Sequence, residues 1–140
     1  MDNNDFKFST TLDVRIGDIN YGNHMGNDSF IQFFHEARLR YLAQFNLSET
    51  NLGNNIGIIL TEIFCKLKNE AFYGENLTAF VKVNEIKKAS FKMNYKIIRN
   101  NDQKLIALGY SIKAAFDYFK RKPIALPLSF IEIIKNYEEL

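Results

Sequence analysis

Over residues 8–16, Phe8, Thr10, Leu12, Val14 and Ile16 alternate with Ser9, Thr11, Asp13 and Arg15, with Lys7 preceding them. A period of two is that of a strand with one buried face, because successive side chains of extended backbone point to opposite sides. The period changes after a glycine-bearing loop over 17–27. Phe30, Phe33, Phe34, Ala37, Tyr41, Leu42 and Phe45 recur at helical spacing, which predicts a helix capped by Asn27 or Asp28 and ending near Phe45. Ile31 and Leu39 widen its apolar face, so this helix is expected to be wrapped by other elements. His35, inside it, is expected to be a buried, hydrogen-bonded histidine.

A polar loop over 48–55 with Gly53 follows, and alternation then returns over 58–68, 77–84, 91–97 and 105–116. Tyr73-Gly74-Glu75-Asn76 and Asn100-Asn101-Asp102 supply turns between these runs. Pro123 and Pro127 break the chain, and residues 129–137 suit a short terminal helix. One strand, one long helix and four strands joined by short turns give an α+β fold with an antiparallel sheet. A sheet curled around one helix buries one face, and its other face and edges call for cover from a second subunit. At 140 residues without repeats or a low-complexity linker, residues 1–140 read as a single domain.

Composition narrows the function classes. Hydrophobic residues make up 46% and aromatic ones 14%, with thirteen Phe and no Trp, which is ample for a core. The formal net charge of +2 comes from 18 basic and 16 acidic residues spread along the chain, which argues against a dedicated nucleic-acid partner. The dense basic patch Lys120, Arg121 and Lys122, beside Lys113, reads either as a solvated turn or as a phosphate contact for a ligand. Cys65 is the only cysteine, so no internal disulfide is possible, and its place in an alternating run suits a small core residue. With His24 and His35 the only histidines, no metal site is expected. The polar start Met1-Asp2-Asn3-Asn4-Asp5 does not suit a signal peptide, and no apolar run approaches the roughly 20 residues that span a bilayer. A cytoplasmic protein without membrane association is the expectation.

The densest chemistry lies in residues 15–28, just before the helix start. Unpaired N–H groups there, and the helix dipole, suit polarisation of a carbonyl, the requirement of acyl transfer. Asp18 could act as a base, His24 as a base or donor, and Asn20 and Asn27 as orienting amides. Tyr21, Gly26 and Asp28 flank them as candidate substrate contacts. The same Asn, Asp and Gly residues also suit a tight loop and a helix cap.

This stretch resembles the signature of the 4-hydroxybenzoyl-CoA thioesterase family of hotdog proteins. There an Arg-x-x-Asp-x-Asp segment is followed by a Gly-His-Val-Asn-Asn-like turn into the central helix. Here stand Gly17-Asp18-Ile19-Asn20 and then Asn23-His24-Met25-Gly26-Asn27. Phe30-Ile31-Gln32-Phe33-Phe34-His35-Glu36-Ala37-Arg38 is similar to that family's Tyr-Leu-x-Tyr-Phe-Glu-x-Ala-Arg. Ala71-Phe72-Tyr73-Gly74-Glu75-Asn76-Leu77, Ala114-Ala115-Phe116-Asp117 and Arg121-Lys122-Pro123 resemble later segments in the right order. The resemblance implies a hotdog fold, with about five antiparallel strands wrapped around one long helix. It implies an acyl-CoA or acyl-carrier-protein thioesterase, a homodimer or homotetramer with sites at subunit interfaces, no metal, and CoA only as part of the substrate.

One position departs from the pattern. The family's usual catalytic acid falls where this chain has Asn20, and an amide cannot take a proton from water as a carboxylate does. Three readings follow. Asn20 orients water or thioester while Asp18 or Glu36 is the base; His24 activates the water; or the protein binds an acyl thioester without hydrolysing it. The first is preferred, because the rest of the loop stays polar. Lys120, Arg121 and Lys122 complete the expected substrate contacts. A dehydratase or isomerase acting on an acyl thioester is a further alternative, since the fold hosts that chemistry too, but it calls for a His–Asp or His–Glu dyad.

Overall fold

A computed structural model describes residues 3–140, the side chain of Asn4 excepted; Met1 and Asp2, the start of the polar N-terminal run, lie outside the described residues. Strand β1 is Phe8–Asp13, with Phe8, Thr10 and Leu12 turned inward. It ends earlier than the alternation suggests. Val14 is still buried, but Arg15 begins a short 3-10 turn over Ile16–Asp18, which leaves Ile16 exposed.

Helix α1 is Asn27–Ala43. Its N-cap is Gly26, and no side chain caps it, so the capping expected of Asn27 or Asp28 is not formed. Both fall inside the first turn. The sheet wraps this helix as expected, but on one side only. Phe30, Phe33, Phe34, Ala37, Tyr41 and Leu42 are buried, but Ile31 and Leu39 remain 39% and 37% exposed. His35 belongs to this open side, with 52% of its side chain accessible, so it is not a core histidine. These six apolar positions already fill the stripe that one sheet can cover, and the flanking ones are left at its rim.

Strands β2 (Gly57–Leu67), β3 (Asn76–Ile86), β4 (Ser90–Arg99) and β5 (Lys104–Asp117) follow. A two-residue strand β6 (Lys122–Pro123) pairs with β5, and helix α2 is Leu128–Glu138. The sheet runs β1-β3-β4-β5-β2, all pairs antiparallel. Only β3, β4 and β5 form the expected succession of hairpins. The chain from β2 crosses the sheet before β3, because α1 spans the concave face and delivers β2 to the edge beyond β5. A helix of this length covers roughly 25 Å.

Contact between α1 and the sheet is closest at Gly109. A Cβ there would lie 2.5 Å from the Phe34 ring and would also meet the Phe64 carbonyl. Phe34 stacks on Tyr95, with ring centroids 4.5 Å apart and planes 10° from parallel. Helix α2 closes the core beside it. Phe130 packs on Phe91, and the Glu138 carboxylate accepts hydrogen bonds from Tyr41 Oη (2.6 Å) and the Val83 N–H (2.9 Å). Cys65 is half-buried against the core edge, and burial raises its thiol pKa, which makes it a poor nucleophile.

Candidate active site

The loop from Arg15 to Gly26 is folded on itself. The buried Asp18 carboxylate accepts the Arg15 N–H at 2.8 Å and the Arg15 guanidinium at 3.3 Å, and it also bonds Ser29. Burial pushes its pKa up, but these bonds outweigh burial and hold it below the usual range. A carboxylate so occupied staples the loop and is a weak proton acceptor. Beyond it, Ile19 bridges Met25, and the Asn20 N–H donates to the His24 carbonyl at 2.8 Å. Asn23 turns the chain with φ of +66°, and the Asn20 side-chain oxygen accepts the Gly22 N–H at 2.9 Å.

The loop is tied to the crossover between β2 and β3 by the Met25 N–H, which donates to the Ala71 carbonyl at 2.8 Å. That pairing sets His24 beside Glu70, with Nδ1 2.7 Å from the Glu70 carboxylate. The crossover is itself held, since Arg99 donates to the Glu70 carbonyl and the Asn69 amide to the Leu105 carbonyl. An open cavity of about 490 Å³ lies here, lined by Asn20, His24, Asn27, Phe30, Leu67 and Glu70 among others. The start of α1 forms one side, where the first N–H groups have no carbonyl a turn earlier to bond. The Gly26 N–H, however, is already committed to the Asp18 carbonyl at 2.9 Å. The donors left at this end are therefore the Asn27 and Asp28 N–H groups, since those of Ser29 and Phe30 bond the Gly26 carbonyl at 3.1 and 3.3 Å.

Asn20, His24 and Asn27 thus meet at one cavity. Gly26 shapes it by its lack of a side chain, since a Cβ there would lie 2.6 Å from the Asp28 carboxylate and 3.3 Å from the Asn20 Cβ. Tyr21 stands fully exposed at the loop tip. Glu36 lies on the open side of α1 in an ion pair with Arg40 at 3.1 Å, and it lines a different groove, between α1 and β1. In one copy of the chain it does not line the His24 cavity.

Lys120 and Arg121 form the turn between β5 and β6, and Lys122 begins β6. Asp117 accepts the Phe119 and Lys120 N–H groups, and Arg121 lies over the Phe116 and Tyr118 rings. This turn adjoins the Gly57 end of β2, because Gly57 pairs with Phe116, whereas His24 adjoins the Leu67 end. Ten residues of strand separate the two ends by roughly 33 Å.

Sequence reasoning did not find Glu70, which lies 46 residues from His24 and carries no local signal. Nor did it find a polar cluster under α1. There Arg38 donates to Glu49 (2.6 Å) and to Tyr95 Oη (3.0 Å), Tyr95 Oη meets Ser111 Oγ (2.6 Å), and Glu49 also contacts His35 (2.7 Å).

An antiparallel sheet wrapped around one long helix defines the class: a hotdog fold. The family model of the thioesterase-like superfamily matches residues 14–134, and the chain belongs to that superfamily. Solved structures agree in fold. A 1,4-dihydroxy-2-naphthoyl-CoA thioesterase from Synechocystis is similar over 91% of this chain and 94% of its own, with a TM-score of 0.82 and 20% identity. A hypothetical protein from Staphylococcus aureus in complex with CoA is similar over 94% and 84%, with a TM-score of 0.85 and 18% identity. A DHNA-CoA thioesterase from Staphylococcus aureus is similar over 94% and 88%, with a TM-score of 0.81 and 19% identity. No curated protein matches the chain. Among the described residues no helix is long and apolar enough to cross a membrane, and no group of three or more His, Cys, Asp or Glu side chains is arranged to hold a metal ion.

Proposed function

We propose that this protein hydrolyses an acyl-CoA thioester with His24 as general base and Glu70 as its orienting partner. The observation that carries the reading is the 2.7 Å contact between His24 Nδ1 and Glu70 at the cavity where α1 begins. With the Nδ1 proton shared with Glu70, Nε2 offers its lone pair to a water. His24 takes a proton from that water, and the oxygen attacks the thioester carbonyl carbon. The developing oxyanion is held by the Asn27 and Asp28 N–H groups at the start of α1 and by the helix dipole. Collapse breaks the C–S bond, and the proton returns from His24 to the thiolate, giving acid and thiol. Asn20 and Asn27 orient water and substrate. Asp18 and Glu36 are left out as bases, the first by its bonds to Arg15 and the second because it lines a different groove and pairs with Arg40. CoA in a similar Staphylococcus aureus structure supports CoA as the thiol carrier.

The working unit in this reading is a dimer built on the β2 edge. Arg40 covers the β1 edge by donating to Thr10 Oγ1 and the Thr11 carbonyl, whereas Leu60, Phe64 and Leu67 of β2 stay nearly half exposed. Two β2 strands paired antiparallel about a two-fold axis bring the Gly57 end of one copy to the Leu67 end of the other. Lys120, Arg121 and Lys122 of one copy then stand beside the His24 cavity of the second, where CoA phosphates would need them.

The test is thiol release across a panel of acyl-CoA substrates. His24→Ala should lower kcat by about 10²-fold or more, Glu70→Gln by about tenfold, and the double variant little more than His24→Ala alone. Full activity in His24→Ala would sink the mechanism. The same dyad also suits proton abstraction next to a thioester carbonyl, the dehydratase or isomerase reading; a changed acyl chain without thiol release would select it.

A further inference from the structure

In one copy of the chain the polar cluster under α1 opens through a cavity of about 280 Å³, walled by Ile31, Leu60 and Ile63 and lined by His35, Arg38, Glu49 and Lys113, whose β2 side would lie at the seam of the proposed dimer. Its charges do not cancel. Arg38 and Lys113, both buried, face one carboxylate, Glu49. Arg38 is well occupied by Glu49 and Tyr95. Lys113 is not. Among the described residues its ion-pair partner is Glu49 at 3.4 Å, long for a charge-assisted hydrogen bond, and an ammonium carries three donors. Burial and the neighbouring Arg38 both lower the Lys113 pKa, the effect of an environment short of negative charge.

The cluster is also in line with the active site. Asn27, Ile31, His35 and Arg38 follow at intervals of four, four and three along α1, which puts them on one stripe. Asn27 lines the His24 cavity, and the other three line this one. The distance along the helix from Asn27 to His35 is roughly 12 Å. Half-exposed Ile31 lies between them on that stripe, and Ile63 and Leu60, the latter paired with Lys113, continue the apolar wall at the second cavity.

We propose that the Arg38–Lys113 pocket is an anion subsite that receives a carboxylate at the far end of the acyl chain whose thioester lies at His24. The favoured substrate is then the CoA thioester of a dicarboxylic acid, its methylenes against Ile31 and Leu60 and its free carboxylate on the Lys113 ammonium. This rests on the thioesterase reading of the His24 cavity for its geometry, but the pocket's charge preference does not depend on turnover. The desolvation of both cations has already been met in folding, so an entering carboxylate brings only its own.

The experiment compares suberoyl-CoA with octanoyl-CoA in hydrolysis, and their non-hydrolysable thioether analogues in calorimetric binding. Wild type should favour the carboxylate-ended member of each pair by about tenfold or more. In Lys113→Met that ratio should fall toward one, and Lys113→Arg should retain most of it. A wild-type binding ratio near one, or a ratio unchanged in Lys113→Met, overturns the subsite; if Lys113→Met does not fold, the wild-type ratio alone decides. Absence of thiol release from every substrate would overturn the thioesterase reading instead, with the binding ratio still deciding the subsite.

Discussion

Asn20 stands at the loop position where a carboxylate would be the simplest base, and its side-chain oxygen is already engaged with the Gly22 N–H. An aspartate could keep that acceptor bond and add a charge to the cavity. With His24 as base, Asn20→Asp should change kcat/KM by less than about tenfold, or roughly 1.4 kcal/mol of barrier. A larger gain, read by thiol release, would mean that the natural chain lacks its acid and that His24 is not the base. Glu49 poses a stability question. Burial pushes its pKa up, but Arg38, Lys113 and His35 outweigh burial and hold it below the usual range. A carboxyl whose pKa is lower folded than unfolded contributes stability that is complete above the unfolded value and lost as pH falls through the folded one. Denaturant midpoints should therefore drop below about pH 4 in the wild type, from the ordinary glutamate value downward. Glu49→Gln should be less stable at neutral pH by roughly 3 kcal/mol, because it leaves two buried cations, and should show a flatter acid limb.

Among the elements, the union of α1 with β5 depends on Gly109. A glycine in the middle of a long strand weakens it unless another group needs the space, and here the Phe34 ring takes it. Phe34 in turn stacks on Tyr95, which holds Arg38 and Ser111. Gly109→Ala should push the ring outward, costing roughly 1–3 kcal/mol by overpacking, readable as a lowered urea midpoint. Since the displaced ring sits one turn from Arg38, the same variant should also disturb the cluster. An unchanged midpoint would show that α1 can lift from the sheet without penalty.

For the whole molecule, one copy leaves its candidate residues at opposite ends of β2. A dimer through that edge repairs the separation, so sedimentation at micromolar concentration should give at least a dimer. Reversing the basic turn with Lys120→Glu and Lys122→Glu should raise KM for acyl-CoA with little change in kcat, the pattern of lost ground-state binding. Mixing that variant with His24→Ala should restore sites of wild-type character in heterodimers, because each such dimer pairs an intact loop with an intact turn. A stable monomer with full activity would refute the shared site.

The α+β class, the long helix, the five main strands and the gathering of polar side chains before the helix are all legible in the sequence. Each rests on local periodicity or on turn chemistry, which the chain carries within a few residues. The boundaries of β1 and α1 shift because the Arg15–Asp18 staple ends the strand and Gly26, not Asn27 or Asp28, occupies the cap. The sheet order is different in kind: placing β2 beyond β5 depends on where α1 returns the chain, and no residue of β2 encodes that alone. From this order follow the open edge, the distance of the basic turn from His24, and the exposed station of His35. Glu70 reaches His24, and Glu49 gathers Arg38, His35 and Lys113, only through contacts between segments far apart in the chain. Periodicity fixes which face a side chain takes within its own element; which charged groups then meet is decided by packing, because pairing energy belongs to distances that exist only once the sheet has closed on the helix.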